Sequence, residues 1–108
     1  MDEQAVIKSL AALAQPVRLK VFRALVVTGS AGLTPGTMAE ALEIPPNTLS
    51  HHLKELTAAG LVTTERSSRH IIYRAAYAHM NALLGYLTDN CCAGAGCAVD
   101  AGSAACSC

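Results

Sequence analysis

The chain has 108 residues, enough for one compact domain and too few for two ordinary ones. Its hydrophobic fraction of 52% is inflated by alanine, and the larger apolar side chains come in short periodic groups, so no stretch reads as a membrane span. The formal net charge is zero, a mild argument against a nucleic-acid binder, but residues 46–75 hold Lys54, Arg66, Arg69 and Arg74 against Glu55 and Glu65, a local basic excess. The acidic start Met1-Asp2-Glu3-Gln4 lacks the features of an export signal, so a cytoplasmic location is expected.

In chain order, the spacing of Val6, Leu10, Leu13 and Ala14 predicts a first helix from Asp2 to Ala14, broken by Gln15-Pro16. Pro16 suits the first turn of a second helix carrying Val17, Val21, Phe22 and Leu25 inward, and Thr28 to Gly32 reads as its closing turn. Thr34-Pro35 repeats the start signal for a short third helix with Met38, Ala41 and Leu42. Ile44-Pro45-Pro46-Asn47 forces a tight break before a fourth helix with Leu49, Leu53 and Leu56 on one face and Gly60 as its stop. Two short helices across a tight turn predict a helix-turn-helix.

After Gly60 the period becomes extended. Leu61 to Arg66 and Arg69 to Arg74, joined by a Ser67-Ser68 turn, predict a β-hairpin. A last helix is expected over Tyr77 to Asn90, with Met80, Leu83, Leu84 and Leu87 in one stripe that Cys91 would continue if the helix ran one more turn. The predicted fold class is mainly α with a small β-hairpin, a winged helix-turn-helix. Residues 1–90 would form this one domain and residues 91–108 a flexible Cys-rich tail.

A recognition helix offers short polar groups to the major groove and an apolar face to the core. Asn47, Thr48, Ser50, His51 and Lys54 point outward when the three leucines point in; Asn47, Ser50 and His51 suit base edges, Thr48 and Lys54 phosphates. Arg66 and Arg69 at the hairpin tip suit a phosphate backbone. For the helix alone, a merely solvated polar face explains the pattern equally well; the order of turn, helix, Gly60 and arginine-tipped hairpin favours DNA. An enzyme is not expected, since there is no Gly-rich phosphate loop and no Ser/His/Asp ordering, and the chain is too small to enclose a substrate.

Residues 11–19, 38–42 and 48–62, with the Ser50-His51-His52-Leu53 and Ala59-Gly60-Leu61-Val62 runs, resemble the arsenical-resistance repressor family (ArsR/SmtB) over about residues 5–90. The resemblance implies a homodimer built mainly through the first and last helices, and a bound ion that releases the protein from double-stranded operator DNA. Many members hold arsenic on cysteines of the third helix; Thr34 to Leu42 has none here. The zinc-sensing pattern of the last helix is reduced to His79 and Asp89, and His79 reads as a solvated or interface histidine rather than a ligand.

All five cysteines, Cys91, Cys92, Cys97, Cys106 and Cys108, lie in the last 18 residues, which in a reducing compartment reads as metal binding or redox chemistry rather than stapling. Cys91, Cys92 and Cys97 resemble the ligands of arsenic-responsive members that bind after the last helix. Three thiolates satisfy As(III), and Sb(III) would compete for them, whereas zinc normally takes a fourth ligand. The expected inducer is therefore trivalent arsenic, as arsenite or a methylated form, with Cys106 and Cys108 outside the ligand set. A thiol redox switch, or zinc, cadmium or copper in place of arsenic, stands as the alternative, and a metal buffer would leave the helix-turn-helix unexplained.

Overall fold

The computed structural model describes residues 1–89. The elements run α1 (Glu3–Leu13), α2 (Pro16–Thr28), α3 (Pro35–Leu42), α4 (Pro46–Ala58), β1 (Val62–Ser67), β2 (His70–Ala75) and α5 (Tyr77–Leu87). Helices α1, α2 and α5 surround the α3–turn–α4 pair, and β1 and β2 form one antiparallel hairpin beside it. This is a winged helix-turn-helix, as expected.

Each helix start has a local cause. Asp2 caps α1 by accepting from the Ala5 amide at 2.7 Å, and the Gln15 side chain accepts from the Arg18 amide at the head of α2. Thr34 caps α3 through the Thr37 amide, and prolines occupy the first turns of α2, α3 and α4, where a missing N–H costs nothing. The core joins Val21, Phe22 and Leu25 of α2 to Met38 of α3 and to Leu49, Leu53 and Leu56 of α4, closed by Leu61, Val62 and Ala75.

Two details of the helices depart from expectation. On α1 the inward positions are Val6, Ser9 and Ala12, while Leu10 stays exposed. Ser9 is fully buried, its hydroxyl meeting Nε2 of the half-buried His79 of α5 at 2.8 Å. Helix α5 ends at Leu87 rather than Asn90, with the Thr88 and Asp89 amides bonding back to Leu84 and Tyr86, and Leu87 is exposed. Cys91 and the other four cysteines lie outside the described residues, and with them the boundary at residue 90.

The hairpin closes one residue later than its sequence suggests. Ser67 pairs with His70, leaving Ser68 and Arg69 as the two-residue loop, and Ser68 takes the positive φ of 57° that such tight loops demand. The wing is tied to the body at its base. Leu33 and Tyr73 exchange backbone hydrogen bonds at 2.8 and 3.0 Å, the Ala76 amide donates to Leu61 O, and Arg74 Nε donates to Ser30 O at 2.7 Å. Gly32 permits this approach, since a Cβ there would stand 2.5 Å from Ile72 Cγ2 and its φ is 68°.

The break between α3 and α4 turns on Glu43, which adopts the left-handed conformation (φ 55°, ψ 47°) and lets the Ile44 amide reach back to Ala39 O. A non-glycine residue there carries about 1–2 kcal/mol of strain. Glu43→Gly is therefore expected to stabilise the fold by about 0.5–1 kcal/mol after its larger backbone entropy is set against that relief, read as a raised urea midpoint at unchanged slope.

Candidate nucleic-acid interface

Helix α4 begins on Pro45-Pro46 with no side-chain cap, and among the described residues the first helical bond is Leu49 N–H to Pro45 O. It ends in a Schellman arrangement, with Leu61 N–H on Leu56 O and Gly60 N–H on Thr57 O. Gly60 has φ 82°, and a Cβ there would come within 3.0 Å of the His79 ring. One glycine thus both stops the recognition helix and lets α5 pack against its end.

With Leu49, Leu53 and Leu56 turned inward, Asn47, Thr48, Ser50, His51 and Lys54 are all exposed. Ser50 and Lys54 line a groove of about 420 Å³ together with Pro35 of α3, Thr57 of α4, Thr64 of β1 and Tyr73 of β2. The recognition helix and the wing therefore share one channel. Arg69 lines a second groove, of about 540 Å³, facing Thr34, Gly36 and Thr37 at the start of α3. Asn47, Thr48, His51 and Arg66 line neither groove and stand free on the surface, Arg66 on β1 opposite Ile71.

Pairing within the wing leaves the local basic excess unchanged but gathers it on fewer side chains. Arg74 Nη1 bonds Glu65 Oε1 at 2.7 Å, so this pair neutralises itself on the wing and leaves Lys54, Arg66 and Arg69 as the cations offered to a partner.

The periodicity concealed one residue of α4. His52 follows the exposed His51 but is buried, at 8% exposure, and Arg18 of α2 reaches its Nδ1 with Nη1 at 3.4 Å. A guanidinium can only donate, so Nδ1 accepts and the imidazole is neutral with its proton on Nε2. Arg18 is itself held by Nε donating to Ala12 O at 2.7 Å. The chain Ala12–Arg18–His52 pins the recognition helix to α1 and α2. A histidine next to another on an amphipathic helix gave no signal of this; the burial becomes visible only once α2 is in place.

Burial, then the positive Arg18 and His51 beside it, hold the His52 pKa below the ordinary imidazole value of 6.5, against a smaller opposing pull from Glu55. The unfolded chain takes up the proton near that ordinary value and the folded chain resists it, so the unfolded state binds more protons as the pH drops. Stability is expected to be full above about pH 6.5 and to fall progressively from there toward the lower folded-state pKa. Urea titrations at pH 7.5 and 5.5 should show this loss, and His52→Gln, which keeps an acceptor for Arg18, should flatten it.

Residues 13–65 match the family model described as a helix-turn-helix domain. The transcriptional repressor SmtB of Mycobacterium tuberculosis is 41% identical over 71 residues, which cover 66% of this chain and 50% of that protein; the chain thus spans about half the length of the curated relatives it matches. Among solved structures, a possible transcriptional regulator for arsenical resistance is 30% identical, with a TM-score of 0.63 over 77% of this chain and 82% of its own. The chain belongs to the ArsR/SmtB family. An ArsR-like transcriptional regulator from Rhodococcus sp. RHA1 has the same fold at a TM-score of 0.71, 28% identical over 78% of this chain and 76% of its own. ArsR/SmtB members are helix-turn-helix regulators rather than enzymes. No described helix is long and apolar enough to cross a membrane.

Proposed function

We propose that this ArsR/SmtB protein is a dimeric cytoplasmic repressor that grips operator DNA with α4 and the β1–β2 wing and is released by trivalent arsenic bound to Cys91, Cys92 and Cys97. The observation that carries the DNA reading is the channel shared by Ser50 and Lys54 of α4 with the wing, flanked by the exposed Asn47, Thr48 and His51 and by unpaired cations at the wing tip. Asn47, Ser50 and His51 read base edges, and Thr48, Lys54, Arg66 and Arg69 meet phosphates.

Dimerisation is supported by exposed apolar side chains on the two adjoining outer helices, Ile7 and Leu10 of α1 and Tyr86 and Leu87 of α5, which a monomer would leave in water. A two-fold dimer sets the operator as an imperfect palindrome with half-sites about one helical turn apart. Arsenic is supported by the number and softness of the thiolates, and Sb(III) shares that preference. Among the described residues no group of three or more His, Cys, Asp or Glu could hold a metal, and the proposed ligands Cys91, Cys92 and Cys97 lie outside those residues.

Fluorescence anisotropy on the DNA preceding the protein's own gene tests this reading, with arsenite, zinc and peroxide added separately under matched conditions. Arsenite alone should release the DNA; release by peroxide alone makes the cysteines a redox switch, and release by zinc alone makes the inducer a divalent ion. In the same assay Lys54→Ala, Arg66→Ala and Arg69→Ala should each weaken binding across all sequences and lower the slope of log K against log salt by about 1. An unchanged slope would remove that residue from the phosphate contacts.

A further inference from the structure

Lys8 of α1, Arg18 of α2 and Glu55 of α4 line a cleft of about 190 Å³ whose other walls are Ala11, Ala12 and Ala59. None of the residues assigned to DNA lines it. The alanines keep the space open where three helices meet, and they leave its chemistry to the three charges. Among the described residues the only ion pair is that of Arg74 with Glu65, so neither Lys8 nor Arg18 closes onto Glu55 across the cleft.

Arg18 is fixed before any ligand arrives, because Ala12 O holds its Nε and His52 receives Nη1. A guanidinium has N–H donors beyond these two, and their planar fork suits a carboxylate. Two cations against one carboxylate give the cleft a positive excess, while Glu55 adds an acceptor that a simple anion would leave unused. The volume is that of about six water molecules.

We propose that this cleft binds a small carboxylate carrying a hydrogen-bond donor, of the hydroxy-acid or amino-acid class, with the carboxylate between Lys8 and Arg18 and the donor on Glu55. Because its walls come from α1, α2 and α4, an occupant bridges the outer helix to the recognition helix. The site does not depend on the DNA-binding reading.

Nitrogen-15 NMR of the full chain tests it, following the Arg18 Nε–H and the amides of Ala11, Ala12 and Ala59 while lactate, glycine, acetate or chloride is added at matched ionic strength. Lactate or glycine should give saturable shifts at these positions, with acetate about fivefold weaker. The stronger of the two names the donor as hydroxyl or ammonium. Lys8→Gln, at an exposed position, should weaken binding about fivefold, and Glu55→Ala, which removes the acceptor, should erase the preference over acetate. Shifts that never saturate, that chloride reproduces, or that persist unchanged in Lys8→Gln overturn the proposal.

Discussion

Replacing Cys91, Cys92 and Cys97 together with serine is expected to leave operator affinity unchanged and to abolish its loss in arsenite. The coupling at stake is large: allosteric pairs of this kind typically exchange about 1–3 kcal/mol, a 5- to 150-fold change in DNA affinity. Serine keeps the size of the side chain and removes the soft donor, so the substitution withdraws the metalloid and little else. Anisotropy titrations with and without arsenite read both halves of the expectation. A variant still released by arsenite places the inducer elsewhere, whereas one that no longer binds DNA gives the segment a part in repression itself. Single substitutions refine the ligand count, since a methylated arsenical needs two thiolates and should survive loss of one of the three.

The second large effect is structural. Leu53 is 1% exposed, on the inward face of the recognition helix between Arg18-bound His52 and the exposed Lys54. Leu53→Ala removes three carbons from a packed site where α2, α3 and α4 converge, at a cost of about 3 kcal/mol. For a domain of this size that corresponds to a fall in Tm of about 10–20 °C, measured at one fixed protein concentration because the Tm of the proposed dimer would depend on it. Lys54→Ala, one residue on, is expected to leave Tm nearly untouched while changing the salt dependence of DNA binding. The contrast separates what the helix does for the fold from what it offers to a partner.

Much of this architecture is written in punctuation. Pro16, Pro35 and the Pro45-Pro46 pair mark three helix starts, Gly60 marks a stop, and the change of period after it marks the hairpin. Each acts through the backbone within a few residues, which is why each is readable without the fold. The misreadings share the opposite property. Ser9 is inward and Leu10 outward on α1, where Ser9 meets His79, seventy residues away, and His52 is buried because of Arg18 on another helix. Arg74 counts as a free cation until Glu65 is seen across the hairpin. The polar face of α4 was legible as a set, because three inward leucines fix the other positions; the partition between base edges and phosphates was not, since it depends on where DNA lies.

The wing's attachment bears on how such a protein could be altered. The Leu33–Tyr73 bridge, the Arg74–Ser30 bond and the Ala76–Leu61 bond all lie at the base of the hairpin, and among the described residues nothing comparable holds Ser67 to His70 beyond the strands' own pairing. Residues added two to each strand near the tip would keep every side chain on its face and extend the arm by about 3.4 Å per residue, without disturbing the anchorage. An unmatched single residue would bulge the ladder or turn the outer side chains over. The tip is thus an adjustable gauge: its length can be reset in whole steps to reach a differently spaced backbone, or to carry a reporter group, while the recognition helix stays where it is.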